Sequence, residues 1–157
     1  MPSPSIAALD FDGVLCNSAR ETAVSAWRAG RSLWPAWDSP VPPADVVDRF
    51  VRMRPYLETG YQAIVMMRMV VDGLDEEEFR DRLLPWCDRW MQRLNMSRAD
   101  LVGHFGAARD RWIEQDLDGW LACHDFYDGV LRGLESIMSG KTVYILTTKQ
   151  ERFVRLL

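Results

Sequence analysis

The sequence predicts an α/β protein whose two parallel strands are separated by a large helical insertion. Three observations carry this. Residues 6–9, Ile-Ala-Ala-Leu, form an apolar run of strand length that stops on Asp10 and Asp12, followed by Gly13. Residues 142–147, Thr-Val-Tyr-Ile-Leu-Thr, are rich in β-branched and aromatic side chains and read as a second buried strand. About 130 residues of mainly helical periodicity lie between them, although a parallel crossover needs only about a dozen. The surplus is an inserted domain.

The first strand is expected over about residues 5–11, buried on both faces. Ser18 and Glu21 have the spacing of a capping box, and Ala23, Ala26, Trp27, Gly30 and Trp34 then recur at helical intervals. Pro35, Pro40, Pro42 and Pro43 force a loop, and a short helix follows over 44–52. Residues 56–71 are almost wholly apolar on one side and predict a buried helix, with Met66, Met67 and Met69 as core filler. Asp75, Glu76, Glu77 and Glu78 suit the positive end of a helix dipole. Phe79, Leu83, Trp86, Trp90 and Leu94 mark one face of that helix, which Pro85 is expected to kink or break. Ser97 opens another helix, with Leu101, Phe105, Ala108 and Trp112 in register. Asp128 is expected to cap a helix carrying Leu131, Leu134 and Met138 and ending at Gly140. A last helix begins after Gln150.

Composition narrows the function. The chain has 157 residues, 48% hydrophobic and 27% charged, which describes a globular protein. A net charge of −4 without a concentrated Lys/Arg patch argues against nucleic acid. No apolar run reaches membrane-span length, and the first four residues lack the pattern of a secretory signal, so a cytoplasmic protein is expected. Cys16, Cys87 and Cys123 fit a reducing compartment. Cys123-His124-Asp125 could be a nucleophile or zinc motif, but two histidines in all and no second ligand pair disfavour it. His104, among helical residues, reads as structural, and the seven tryptophans as buried helix faces.

Chemistry concentrates where the strands end. Ligands of open α/β sheets bind beyond the carboxyl ends of the strands, where Asp10 and Asp12 fall. Gly13 allows the chain to leave the strand sharply and brings backbone near a ligand. Two carboxylates suit magnesium, and a carboxylate can attack phosphorus. A structural or calcium-binding Asp-x-Asp, or that of a nucleotide-sugar transferase, is disfavoured by the four preceding apolar residues and the following Gly-Val-Leu.

With Asp10, Asp12, Gly13 and Leu15 at these positions, the segment resembles the first motif of the haloacid dehalogenase (HAD) superfamily. The resemblance implies a partial Rossmann-like core over residues 1–17 and 126–157, with a helical cap of the C1 type over 18–125. It implies Asp10 as nucleophile and Asp12 as general acid/base, both at a Mg2+ site. Asp12 favours phosphoryl chemistry over dehalogenation. Thr147 resembles the hydroxyl residue of the second motif, with Thr148 where Asn is common; Thr147, Thr148 and Gly13 would then bind the substrate phosphate. The implied reaction is hydrolysis of a small phosphorylated metabolite through an aspartyl-phosphate. A phosphomutase is the nearby alternative, and a non-catalytic binding or scaffold protein the distant one. In the cap, Arg54, Glu58 and Tyr61 share a helical face if the helix begins near Arg54, so Arg54 would grip substrate and Tyr61 line the pocket. An Arg–Glu pair at a solvated helix start explains the same spacing, and Pro55 biases Arg54 away from helix.

The sequence departs from that family after the second motif. A neutralising Lys or Arg and an acidic pair belong further on, yet ten residues follow Thr147. Lys149 is the nearest cation and comes earlier than the pattern's lysine, which leaves a local substitute open. A charge about 4 Å away is worth on the order of 4 kcal/mol, roughly a thousandfold in rate. The expectation is therefore an incomplete catalyst, a fragment of a longer enzyme. The alternative is a short protein whose uncovered sheet is closed by a second copy or a partner.

Overall fold

The computed structural model describes residues 5–157; the sequence reading of the first four residues lies outside them. The chain is mixed α/β and divides into two compact units, Ala19–Trp120 and the remainder on either side of it. Among the described residues no helix is long and apolar enough to cross a membrane.

The flanking unit holds both parallel strands. β1 (Ile6–Leu9) and β4 (Thr142–Ile145) pair in parallel, Ile6 opposite Thr142 and Leu9 opposite Ile145. The Leu146 N–H donates to the Leu9 carbonyl at 2.8 Å and extends the ladder one step. After β1 a tight turn carries the N–H groups of Leu15 and Cys16 back to the Phe11 carbonyl, at 2.9 and 3.0 Å. A second small sheet, not anticipated from sequence, pairs β2 (Cys16–Asn17) antiparallel with β3 (Asp125–Phe126). Phe11, Leu15 and Cys16 form the local core with Phe126, Val130 and Leu134 packed against it, and Phe11 meets Phe126 edge-on at 6.2 Å.

Burial corrects the strand reading. Both strands were expected to be buried, yet Ile6, Tyr144, Ile145 and Leu146 are exposed. So are Leu131 and Met138 of α7 (Val130–Met138). Two strands and one long helix cannot cover both faces of a parallel sheet. Asp128 does not cap α7 either. That position belongs to Gly129, at φ +78°, with no side-chain bond to the helix. The short α8 (Glu151–Val154) closes the unit, with Phe153 buried.

The inserted unit is a helical bundle. α1 (Ala19–Leu33), α2 (Ala44–Met53), α4 (Glu76–Leu94) and α5 (Arg98–Gln115) bury some positions and expose others, whereas α3 (Gly60–Val71) has every side chain from Tyr61 to Met67 buried. A helix apolar on nearly all sides belongs at the centre of a bundle, and α3 packs on α1, α2, α4 and α5. A one-turn helix, α6 (Leu117–Leu121), follows α5. α5 starts as expected, in a capping box of Ser97 and Asp100. α4 runs unbroken through Pro85, contrary to a break there; Pro85 is exposed, so water can serve the carbonyl its missing N–H leaves free. His104 bridges helices through Nε2, 2.8 Å from Ser32 Oγ and 3.0 Å from the Ala29 carbonyl, which is a structural role.

One polar cluster interrupts this core. Glu21 has no solvent exposure and takes Arg109 Nε at 2.7 Å, Arg109 Nη2 at 2.6 Å, Trp120 Nε1 at 3.1 Å and the hydroxyl of Ser25. Burying a carboxylate is tolerable only with such full pairing. Glu21, read from sequence as half of a capping box, thus ties α1 to α5 and α6.

Candidate active site

Asp10, Asp12, Thr147 and Lys149 all belong to the flanking unit, on the chain segments that leave β1 and β4 at their carboxyl ends. Because the strands are parallel, both segments emerge at the same end of the sheet. Asp10 is exposed; its Oδ1 accepts the Phe11 N–H at 2.7 Å, and its Oδ2 takes no donor among the described residues.

Asp12 is held differently. Its Oδ1 accepts Lys149 Nζ at 3.2 Å and also the Ser18 hydroxyl. The Lys149 side chain is only 1% exposed, and its ammonium lies 5.7 Å from the centroid of the Phe11 ring. The backbone N–H of Lys149 donates to Thr147 Oγ1 at 3.1 Å, so the threonine hydroxyl keeps its own proton for an incoming acceptor. Thr148 is exposed.

Gly13 requires a correction. At φ +82° it needs glycine for conformation, and an added Cβ would meet nothing within 4 Å. Its N–H, however, donates to the Cys16 carbonyl at 2.8 Å, so the turn uses the donor expected to meet phosphate. In the helical unit Arg54 and Tyr61 do not share a helix. Arg54 sits in a 3-10 turn, Arg54–Tyr56, and Thr59 starts α3 afresh in a capping box with Gln62. Arg54 Nη1 donates to the Leu57 carbonyl, and Tyr61 is buried beneath the Arg98 guanidinium. A groove of about 680 Å³ at the α4–α5 corner is lined by Asp88, Met91, Met96, Arg98 and neighbours, with neither Arg54 nor Tyr61 in its wall.

The two residues on Asp12 read differently in the sequence: Ser18 as a helix cap, and Lys149 as the nearest cation, earlier than the pattern's lysine and open as a local substitute. Asp125 is exposed, with its backbone paired in β3, and no group of three or more His, Cys, Asp or Glu that could hold a metal ion stands together among the described residues. Magnesium needs less, since it keeps waters and takes one or two carboxylates plus substrate oxygens. Asp10 and Asp12 are carboxylates of the kind that could hold such an ion.

No family model, curated protein or solved structure matches the chain.

Proposed function

We propose that the chain is a magnesium-dependent hydrolase of the HAD type, with a partial Rossmann-like core and a helical C1-type cap, acting on a small phosphate monoester. The observation that carries this reading is that the carboxyl end of a parallel strand pair carries an exposed carboxylate, a clamped carboxylate, a hydroxyl and a buried lysine. Asp10 attacks phosphorus, forming an acyl-phosphate as the bond to the leaving alcohol oxygen breaks. Asp12 supplies that oxygen's proton through Oδ2, then takes a proton from the water that displaces Asp10 from phosphorus. Thr147 donates its hydroxyl proton to a non-bridging oxygen. Asp10 and Asp12 would hold a magnesium ion, which would supply neutralisation of phosphoryl charge. Positioning and electrostatics supply most of the acceleration in such reactions.

The test is phosphate release from p-nitrophenyl phosphate with and without Mg2+, in the wild type and in Asp10→Asn. Metal-dependent turnover is expected, falling at least about a thousandfold in the variant. Equal rates in the two proteins would refute it.

A scaffold reading has one observation in its favour, the exposed apolar residues of β4 and α7, where Tyr144 is 52% and Met138 64% exposed. That reading requires Asp10→Asn to leave partner binding intact.

A further inference from the structure

We infer that Lys149 is a positioning residue that aims Asp12 for proton transfer. This rests on the hydrolase reading above and assigns a task to a lysine that follows Thr147 by only two residues.

A carboxylate turns about its last torsion in a broad, nearly two-fold well, so its two oxygens exchange unless something distinguishes them. Here one oxygen is distinguished. Asp12 Oδ1 takes both Lys149 Nζ and the Ser18 hydroxyl, whereas Oδ2 takes no donor from the described residues. The two donors come from opposite ends of the sequence, Ser18 just before α1 and Lys149 just after β4. Lys149 cannot wander: its side chain is buried, its ammonium lies over Phe11, and its backbone is tethered to Thr147 Oγ1. The charged pair therefore fixes Oδ2 as the oxygen presented for chemistry. The same tether sets the Thr147 hydroxyl, so the phosphate-binding group and the proton-transfer group share one anchor.

Lys149 acts through Asp12 and needs no contact with substrate, which separates this role from that of a phosphate-binding cation. A misplacement of about 1 Å in such a group costs on the order of a hundredfold. In the full chain, Lys149→Met is expected to lower kcat for p-nitrophenyl phosphate by tens of fold, with KM and inhibition by inorganic phosphate within about threefold of wild type. Lys149→Arg, which keeps a charged donor, should recover most of the loss. In a double-mutant cycle, Asp12→Asn/Lys149→Met should be no slower than Asp12→Asn alone.

The outcomes separate cleanly. If Lys149→Met keeps kcat, or raises KM and the phosphate inhibition constant instead, the positioning role is overturned while the hydrolase reading stands. Should the wild type release no phosphate under magnesium, the hydrolase reading falls and takes this role with it. Should Lys149→Met fail to fold, the double variant, which leaves no unpaired charge, carries the comparison with Asp12→Asn. A double variant at least about tenfold slower than Asp12→Asn shows Lys149 acting elsewhere than on Asp12 and overturns the role.

Discussion

Removing Glu21 tests how far the helical unit depends on a buried charge cluster. Glu21→Ala deletes the acceptor for two Arg109 nitrogens, Trp120 Nε1 and the Ser25 hydroxyl, and strands a guanidinium whose side chain is 8% exposed. Breaking a buried pair by removing one partner costs about 3–5 kcal/mol, a large share of the roughly 5–15 kcal/mol that holds a domain together. At roughly 4–8 °C per kcal/mol for a unit of this size, Tm should fall by at least about 12 °C. All seven tryptophans lie between Trp27 and Trp120, so indole emission in a urea titration reports the helical unit alone. The companion Glu21→Leu/Arg109→Met removes both charges and should cost less than the single change, because no ion is left unpaired. A loss below about 1 kcal/mol for Glu21→Ala, or a double variant as unstable as the single, would refute the argument.

Three further outcomes follow from the helical unit. Gly30→Ala puts a methyl group into Trp37 Cζ3 and 2.8 Å from its Cε3, where that ring stacks on Trp27 at 4.8 Å. Overpacking of about 1–3 kcal/mol outweighs a helix-propensity gain of at most about 1, so urea midpoint and near-ultraviolet dichroism should both fall. Burial, with a smaller push from Asp88, raises the Cys87 thiol to about 12. Folded protein at mild alkaline pH should leave Cys87 unlabelled by a thiol reagent until it unfolds. Since the unfolded thiol ionises first, stability should decline as pH rises from the ordinary thiol range toward 12. The Ser97 backbone N–H, then its hydroxyl, hold Asp100 below the usual carboxylate range. That support for α5 is present above the ordinary carboxylate pKa and is lost as pH falls through the lowered one; hydrogen exchange at the first turn of α5 should accelerate there, and less so in Asp100→Asn.

Sequence pattern located the strand ends because an apolar run closing on Asp10 and Asp12 is a local signal, and β4 announces itself through its β-branched residues. Parallel pairing followed from the length of what lies between. Burial did not, since a run of apolar residues says that a strand could be covered and not that neighbours exist to cover it; Ile6 and Tyr144 are the instances. The start of α3 was misjudged because Tyr56 and Leu57 continue the apolar pattern, while the capping box of Thr59 and Gln62 ends it by hydrogen bonding. Asp128 looked like a cap because its type favours one, but the left-handed turn at Gly129 takes that place. Lys149 comes earlier in the sequence than the pattern's lysine, which leaves it open as a local substitute. A bend after β4, closed by its N–H on Thr147 Oγ1, carries its ammonium to Asp12, a contact that sequence spacing does not encode.

The bond between Glu21 and Trp120 also has a consequence in chain entropy, for these residues stand near the two ends of the inserted unit. Pairing β1 with β4 must close a loop of roughly 130 residues when the insertion is unfolded. Once Glu21 and Trp120 are joined, the chain left to close is nearer 30 residues, about two doublings shorter, which is worth roughly 1.2 kcal/mol. The helical bundle thereby favours the strand pairing about eightfold through a shortened loop alone. Cutting the clamp would weaken a sheet that the clamp never touches.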